Sequence, residues 1–258
     1  MAGRHLAPNP AGAHFLRDRR LTAQLARDSG AREGQLAVDL GAGGGAITAE
    51  LAATGARVIA VERDGRLAAR LRRRFEHQDL VTVVEADLRS MPLPRQPFLV
   101  VSSPPFSLTT ALCRRLLGDP AVPLAGAELI IERGAARRLA ASRPRDAETA
   151  WWMARYQARL IRVVGPGSFV PPPRAHAAWL TLRRRPGLLS ARGQRQLRAV
   201  LASAYRRPGD RVDRVVALPR RLLLTAGLEP TAPVADITAD QWHRLAMRLD
   251  GGTTRPGS

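Results

Sequence analysis

The sequence predicts an α/β fold of the Rossmann-like, doubly wound type with a small helical domain at its C-terminal end. Two observations predict the first part: an apolar stretch that runs into a cluster of glycines, and short apolar runs that alternate with helical patterns up to residue 182. The charged run RRRPG at 183–187 predicts the boundary, because only helical periodicity follows it. We therefore expect a first domain over 1–185, a helical cap over 186–250 and a disordered tail over 251–258.

The elements follow from these patterns in order. Residues 1–12 are rich in Gly, Pro and Ala and are expected to be extended, and His14, Phe15 and Leu16 lead into the first helix. Strands are predicted at 36–40, 58–61, 81–84, 98–101, 127–131, 160–164 and 177–182, and helices at 46–54, 65–75 and 107–117. The last two strands are close enough in the chain to form an antiparallel pair. The cap is predicted to end in a helix over 238–249, with Thr238 as its N-cap.

The glycine cluster predicts a nucleotide site. Glycines without Cβ atoms let a ligand approach the backbone at a helix N-terminus. Glu62 follows at the end of the second strand, about 20 residues later, where doubly wound folds place a carboxylate on ribose hydroxyls. The alternative is a helix start that packs on the sheet without a ligand. Asp87 follows the third strand and is placed to reach a nucleotide base, or equally to cap a helix that begins at Leu88.

Two stiff loops that carry aromatic residues are predicted at the same edge of the sheet. The first, SSPPF at 102–106, has two prolines at the end of a buried strand, followed by Phe106. Such a loop can stack a flat base and accept hydrogen bonds from its amino group. The second, SFVPPPR at 168–174, would supply the other side of a base sandwich through Phe169, or be a plain proline-rich turn.

The charge of the chain indicates a polyanionic partner. It carries 41 basic and 22 acidic side chains, a net charge of +19, and every basic residue other than histidine is an arginine. Nucleic acid is the first partner to consider and a membrane surface the second. No apolar run is long enough to span a bilayer, and the single cysteine, Cys113, is interpreted as a core residue, so we expect a cytoplasmic protein.

One arginine-rich stretch is the candidate surface for that partner. It contains Arg133, Arg137, Arg138, Arg143 and Arg145 and is followed by Trp151, Trp152 and Tyr156. One interpretation is a basic track for an RNA backbone with a tryptophan at its margin. The other is a solvated basic face followed by an amphipathic helix whose aromatic residues belong to the core.

Taken together, these motifs resemble the rRNA adenine N6-methyltransferases, which include the Erm macrolide-resistance enzymes and the KsgA-type small-subunit dimethylases. The resemblance covers nearly the whole chain: NPAGAHFLRD at 9–18, GAGGG at 41–45, Glu62, Asp87, SSPPF, and FVPPPRAHAA at 169–178 occur in the family's order. HFLRD and the arginine-rich stretch are closer to actinobacterial Erm enzymes than to KsgA. The resemblance implies a class I methyltransferase fold that uses S-adenosylmethionine.

The resemblance also implies the roles of individual residues. The cofactor would be bound by Asn9, His14, Leu16, Gly41, Ala42, Gly43, Gly45, Glu62, Arg63, Asp87, Leu88 and Ser103. Ser103 and Pro104 would hold the target amino group, and Phe106 and Phe169 would clasp the base. The five arginines would bind RNA together with the cap. No metal is expected, and the protein is expected to be a monomer.

The sequence departs from the family pattern at two places. Ser103 and Pro104 stand where the catalytic motif has Asn and Ile or Leu, and Ala13 stands where glutamine is usual. An exocyclic amino nitrogen is a poor nucleophile, and two hydrogen bonds from its N–H groups hold its lone pair towards the methyl carbon. The Ser103 hydroxyl can accept one of these bonds and the Pro104 carbonyl the other. Ser-Pro-Pro-Phe or Ser-Pro-Pro-Tyr also occurs in enzymes that methylate cytosine N4.

Three functions are therefore weighed. The first is Erm-like methylation of adenine N6 in 23S rRNA, with resistance to macrolide-type antibiotics. The second is the same chemistry on small-subunit rRNA or on cytosine N4, which Ser103 motivates. The third is an rRNA-binding accessory protein with weak catalysis, motivated by Ser103 and Ala13 together.

Overall fold

The computed structural model describes residues 14–187 and 189–251 and confirms the α/β fold. The strands are β1 (Phe15–Leu16), β2 (Leu36–Leu40), β3 (Arg57–Glu62), β4 (Val81–Glu85), β5 (Phe98–Ser102), β6 (Leu124–Glu132), β7 (Tyr156–Val164), β8 (Phe169–Val170) and β9 (Ala177–Arg184). The helices are α1 (Arg19–Ser29), α2 (Ala46–Ala52), α3 (Gly65–Arg74), α4 (Thr109–Leu117), α5 (Arg133–Leu139), α6 (Ala147–Arg155), α7 (Ala191–Ala204), α8 (Val212–Val215), α9 (Arg220–Thr225) and α10 (Ala239–Gly251). None of the helices in these two ranges is long and apolar enough to cross a membrane.

Seven strands form the central sheet in the order β4-β3-β2-β5-β6-β9-β7. The pairs from β4 to β6 are parallel, so these strands end at one edge of the sheet. The chain enters at β2 and adds strands first on one side, then on the other. The crevice at such a switch point, beyond the carboxyl ends of the strands, is where doubly wound folds bind ligands.

The apolar runs form elements because their side chains are removed from water. All five residues of β2 are buried, as the continuous apolar run predicts for a strand covered on both faces. Cys113 is buried in α4, in agreement with its interpretation as a core residue. Helix starts follow the capping residues: Asp64 accepts from the backbone of Arg66 and Leu67, and Thr238 accepts from Gln241 N at 3.3 Å.

The chain forms two compact units. The first comprises the described residues up to Arg137 together with Arg159–Leu182, and holds most of the sheet. The second comprises Arg138–Ala158 and the chain from Arg183 onward. It therefore includes 138–158, which the sequence analysis placed in the first domain. The reason is that α6, with its buried tryptophans, packs against α7 and α10.

The helix through Leu21 and Leu25 that the sequence predicts is α1, and two local features were not predicted. Phe15 and Leu16, which lead into α1, form a strand because β1 pairs antiparallel with β8, and α1 begins after Asp18, which caps it. Residues 133–139, interpreted as a basic face or as a basic track for RNA, form helix α5. The Glu132 carboxylate accepts from Gly134 N at 2.7 Å and from Ala135 N at 3.0 Å, and so satisfies the first free N–H groups of that helix.

Candidate active site

A cavity of about 600 Å³ opens at the carboxyl ends of β2, β3, β4 and β5. Among the predicted site residues, those that line it are His14, Leu16, Gly41, Ala42, Glu62, Arg63, Asp87, Leu88 and Ser103. Gly43, Gly45, Pro104, Phe106 and Phe169 are not part of its lining. Asn9 and Ala13 lie outside the described residues. The structure thus brings together residues that are up to 89 positions apart in the chain, from His14 to Ser103.

The backbone of the glycine turn has φ angles that residues with a side chain rarely adopt. Gly41, Gly43 and Gly45 have φ of 84°, 53° and 77°. A Cβ atom on Gly43 would lie 2.7 Å from the ring of Phe15, and one on Gly45 would lie 2.7 Å from Leu71. These two glycines therefore shape the loop and let neighbouring side chains approach it, while the backbone at Gly41 and Ala42 faces the cavity.

Glu62 is fixed at the rim of the cavity by the backbone around it. Its Oε2 accepts from Gly43 N at 2.9 Å, and its Oε1 accepts from Asp64 N at 2.9 Å. Each carboxylate oxygen has a second lone pair, so the group can still accept from a ligand hydroxyl. Its role on a ribose stays a prediction.

Asp87 forms a turn and a close ion pair. Arg89 donates to it from the side chain, at 3.0 Å from Nε and 2.5 Å from Nη2, and from the backbone N at 2.8 Å. These bonds hold the pKa of the Asp87 carboxyl down at about 2, with a smaller contribution from the charge of Arg63. Asp87 is thus ionised at neutral pH. The alternative role as a helix cap is not observed, since the residues after it form a turn and no helix starts at Leu88.

Asp39 is the most unusual of the lining residues that sequence reasoning missed. It is the last residue but one of β2, is 1% exposed and lines the cavity. Its Oδ2 accepts from Thr48 Oγ1 at 2.7 Å, and its Oδ1 has no partner among the described residues. Burial raises the pKa of this carboxyl to about 7. The signal in the sequence was an acid inside an otherwise apolar strand, LAVDL, directly before the glycine turn.

The SSPPF loop places one serine in the sheet and one in the cavity. Ser102 is buried, and its Oγ donates to Leu40 O at 2.5 Å, which ties β5 to β2. Ser103 is half-buried and lines the cavity, whereas Pro104 is buried behind it. The prolines also pack on the glycine turn: a Cβ on Gly41 would lie 3.7 Å from both Pro104 and Pro105.

An aromatic cluster stands beside this loop. The rings of Phe106 and Phe169 meet edge to face with centroids 6.3 Å apart, and the His14 ring lies 5.9 Å from that of Phe106. The bond between His14 Nδ1 and Pro171 O, 2.9 Å long, joins the cluster to the second loop. Phe169 is only 2% exposed, so in this arrangement it supports Phe106 and presents no face to a base. The clasp of a base between the two rings stays a prediction.

All five arginines of the basic stretch are exposed, and Arg143 forms an ion pair with Asp236 at 2.9 Å. The two tryptophans that follow are buried, with 5% exposure at Trp151 and 4% at Trp152. The prediction of a tryptophan at the surface is therefore wrong, because both side chains belong to the core of the second unit. The predicted RNA contacts of the five arginines stay predictions.

The cavity has a charge opposite to that of the whole chain. Among the described residues, four acidic side chains line it, Asp39, Glu62, Asp64 and Asp87, against one arginine, Arg63. S-adenosylmethionine carries a sulfonium, an α-ammonium and an α-carboxylate, so its net charge is positive, and it also has a ribose and an adenine. The unpartnered Asp39 Oδ1 and the rim carboxylates fit such a ligand, whereas they would repel the pyrophosphate of a dinucleotide. When bound, the cofactor supplies an activated methyl group.

Comparison with known proteins agrees with this chemistry. Residues 7–250 match the family model of ribosomal RNA adenine dimethylases. The chain is 32% identical over 210 residues to the ribosomal RNA small subunit methyltransferase A of Synechococcus sp. (strain JA-3-3Ab), which spans 77% of this chain and 75% of that protein. It is 25% identical over 179 residues to an rRNA adenine N-6-methyltransferase of Bacillus licheniformis, spanning 69% of this chain and 62% of the relative.

A solved structure is similar over almost the full length. The crystal structure of the 23S rRNA methyltransferase ErmE superposes with a TM-score of 0.77 and 28% identity, covering 92% of this chain and 99% of that one. The fold, the acidic cavity for a sulfonium cofactor and the matched family model lead to one assignment. The chain belongs to the ribosomal RNA adenine dimethylase family, whose enzymes use S-adenosylmethionine to methylate adenine in rRNA.

Proposed function

We propose that this enzyme methylates N6 of an adenine in 23S rRNA and thereby confers resistance to macrolide-type antibiotics. The observation that carries the proposal is the similarity to the 23S rRNA methyltransferase ErmE, which extends over 92% of the chain at 28% identity. The HFLRD motif and the exposed arginines between 133 and 145 support it.

In this proposal the cavity holds the cofactor and the SSPPF loop holds the target. Ser103 Oγ and the Pro104 carbonyl accept hydrogen bonds from the amino group of the adenine, and Phe106 contacts its ring. The loop is well suited to this, because Ser102 and the packing of the prolines on Gly41 keep it rigid. Positioning is then the main contribution of the protein to methyl transfer.

The cofactor is held by the carboxylates. Glu62 accepts from the ribose and Asp87 from the adenine amino group of the cofactor, while Asp39 faces its cationic end. Binding at Asp87 requires Arg89 to give up part of its paired contact. The five exposed arginines and the helical unit contact the RNA. The protein acts as a monomer.

A digest of the methylated product to nucleosides tests the proposal. Purified enzyme is incubated with labelled S-adenosylmethionine and, separately, with protein-free 23S rRNA, 16S rRNA and DNA. We expect label in N6-methyladenosine or its dimethyl form from 23S rRNA. Label in methylcytidine, or label confined to 16S rRNA or DNA, would refute it. Expression in a macrolide-sensitive host tests resistance, with Ser103→Ala as the control.

Small-subunit rRNA is the second candidate substrate. The specific observation in its favour is the relative named small subunit methyltransferase A, which at 32% is more identical to this chain than ErmE is. The 16S arm of the same digest decides between the two. Labelling of an assembly intermediate of the small subunit, without labelling of 23S rRNA, would support the second candidate.

A further inference from the structure

A second cleft, of about 390 Å³, opens beside the cofactor cavity between the glycine turn and α3. It is lined by Gly43, Gly44, Leu67, Arg70, Leu71, Arg73 and Arg74, and we refer to it as the arginine cleft. It shares Gly44 and Leu67 with the cofactor cavity, so the two are neighbours. A Cβ atom on Gly44 would meet nothing within 4 Å, which leaves this side of the cleft open.

The charged side chains that the structure describes in the lining of the arginine cleft are all arginines. Arg70, Arg73 and Arg74 stand at i, i+3 and i+4 of α3 and therefore share one face of the helix. None of the described residues that line the cleft is acidic, and α3 itself contains no acid. Like charges at this spacing destabilise a helix, so the arrangement has a cost that a bound anion would remove.

The three guanidinium groups differ in what they contact. Arg74 is anchored: its Nη1 donates to Gly44 O, and its guanidinium lies 5.2 Å from the centre of the Phe75 ring. Arg70 and Arg73 have no ion pair and no hydrogen-bond partner for their side chains within the described ranges. The neighbouring Arg72, by contrast, pairs with Glu85 at 3.3 Å. The cleft thus holds one fixed cation and two that are available to a ligand.

Guanidinium groups recognise phosphate best, because their paired N–H donors match two of its oxygens. In the proposed function the RNA supplies phosphate groups near the arginine cleft. RNA has a phosphate at every nucleotide, and its target base must reach the neighbouring cofactor cavity. We propose that the arginine cleft binds the phosphodiester backbone of the RNA substrate near the target nucleotide. This inference rests on the proposed function only in that the substrate is an RNA.

The test removes the two available arginines and measures RNA binding without turnover. The variant is Arg70→Gln with Arg73→Gln, which keeps helix propensity. The matched control is Arg20→Gln with Arg27→Gln, which changes the same charge on exposed positions of α1 outside both cavities. Affinity for 23S and 16S rRNA fragments is measured over a range of salt concentrations, and that for S-adenosylmethionine by calorimetry.

We expect the cleft variant to bind RNA about 10-fold more weakly than the control at low salt. The slope of log affinity against log salt should fall by about 1.5, because each lost phosphate contact removes roughly 0.7–0.9. S-adenosylmethionine should bind both variants equally. Equal RNA affinity and equal slope for the two variants with both rRNAs would overturn the proposal, whichever rRNA is methylated.

A free anion is the competing occupant. In that case sodium phosphate would raise the melting temperature of the wild-type protein and not that of the cleft variant, while RNA affinity would be unaffected by the substitutions. That combination would also overturn the proposal. Failure of the methylation assay on 23S rRNA would leave this binding test standing, so the two proposals fail separately.

Discussion

Asp39 should make the stability of the cofactor-free protein fall as the pH rises towards 7. Burial raises the pKa of this carboxyl from 3.8 to about 7, although Thr48 donates a hydrogen bond to it; within the part of the chain that the structure describes, its Oδ1 has no partner. Between these two values the folded protein keeps a proton that the unfolded chain releases. Unfolding is therefore favoured as the pH rises, and the loss is complete above pH 7.

The size of the expected loss in unfolding free energy follows from the distance between the starting pH and the folded pKa of Asp39. Between pH 5.5 and the folded pKa of about 7, an interval of about 1.5 pH units, the folded carboxyl keeps its proton while the unfolded one is ionised. Each unit of that interval costs about 1.36 kcal/mol, so the expected loss between pH 5.5 and pH 8.0 is about 2 kcal/mol. Asp39→Asn removes the titration while it keeps an acceptor for Thr48. The unfolding free energy of Asp39→Asn should therefore not show this fall of about 2 kcal/mol. The histidines contribute equally to both proteins, so their effect cancels when the two changes are subtracted.

Urea unfolding at the two pH values, without cofactor, measures this difference. The comparison is the change in unfolding free energy of the wild-type protein minus that of Asp39→Asn. If both proteins lose the same free energy between pH 5.5 and 8.0, Asp39 is ionised in the folded state and the account of its burial is wrong.

Three further predictions follow from the site and the second unit. Ser103→Ala should lower the initial rate of methyl transfer by roughly 10- to 100-fold, whereas Ser103→Asn should retain activity; an unchanged rate for Ser103→Ala would show that the hydroxyl does not hold the target. Gly43→Ala should destabilise the protein by about 1–3 kcal/mol in thermal unfolding, since its φ is 53° and its Cβ would lie 2.7 Å from Phe15. Arg198→Met should cost roughly 0.5–1 kcal/mol of stability, because the Arg198 guanidinium lies 4.4 Å from the Trp151 ring centre; a loss of zero would mean that this contact contributes nothing.

Much of the site was predictable because local patterns specify it. Glycines before a helix and an acid at the end of the next strand are local signals, and they placed Gly41 and Glu62 correctly at the cavity. Asp39 was missed because its meaning depends on burial, which a single acid in an apolar run does not reveal. The burial of Phe169 was likewise not predictable, because aromatic rings on two loops look equivalent in sequence and only packing shows that this one is covered; its role at the target base stays a prediction.

The second unit shows the same limit. The amphipathic pattern of 147–155 predicts a helix, but the domain it joins depends on which surface buries its tryptophans, and that surface comes from α7 and α10, far along the chain. Likewise β1 exists only because Phe15 and Leu16 meet Val170 and Phe169 across more than 150 residues. Propensity alone cannot predict such pairings.

Periodicity, glycine positions and net charge are properties of neighbouring residues and of composition, so they predict most of the strands and helices, the cofactor turn and a polyanionic partner without knowledge of the fold. The acidity of the cofactor cavity in a chain of net charge +19, and the separate cleft that Arg70 and Arg73 line, follow only from the folded structure. Local electrostatics depends on which charges folding brings together and which it removes from water, and neither is written in the spacing of residues along the chain.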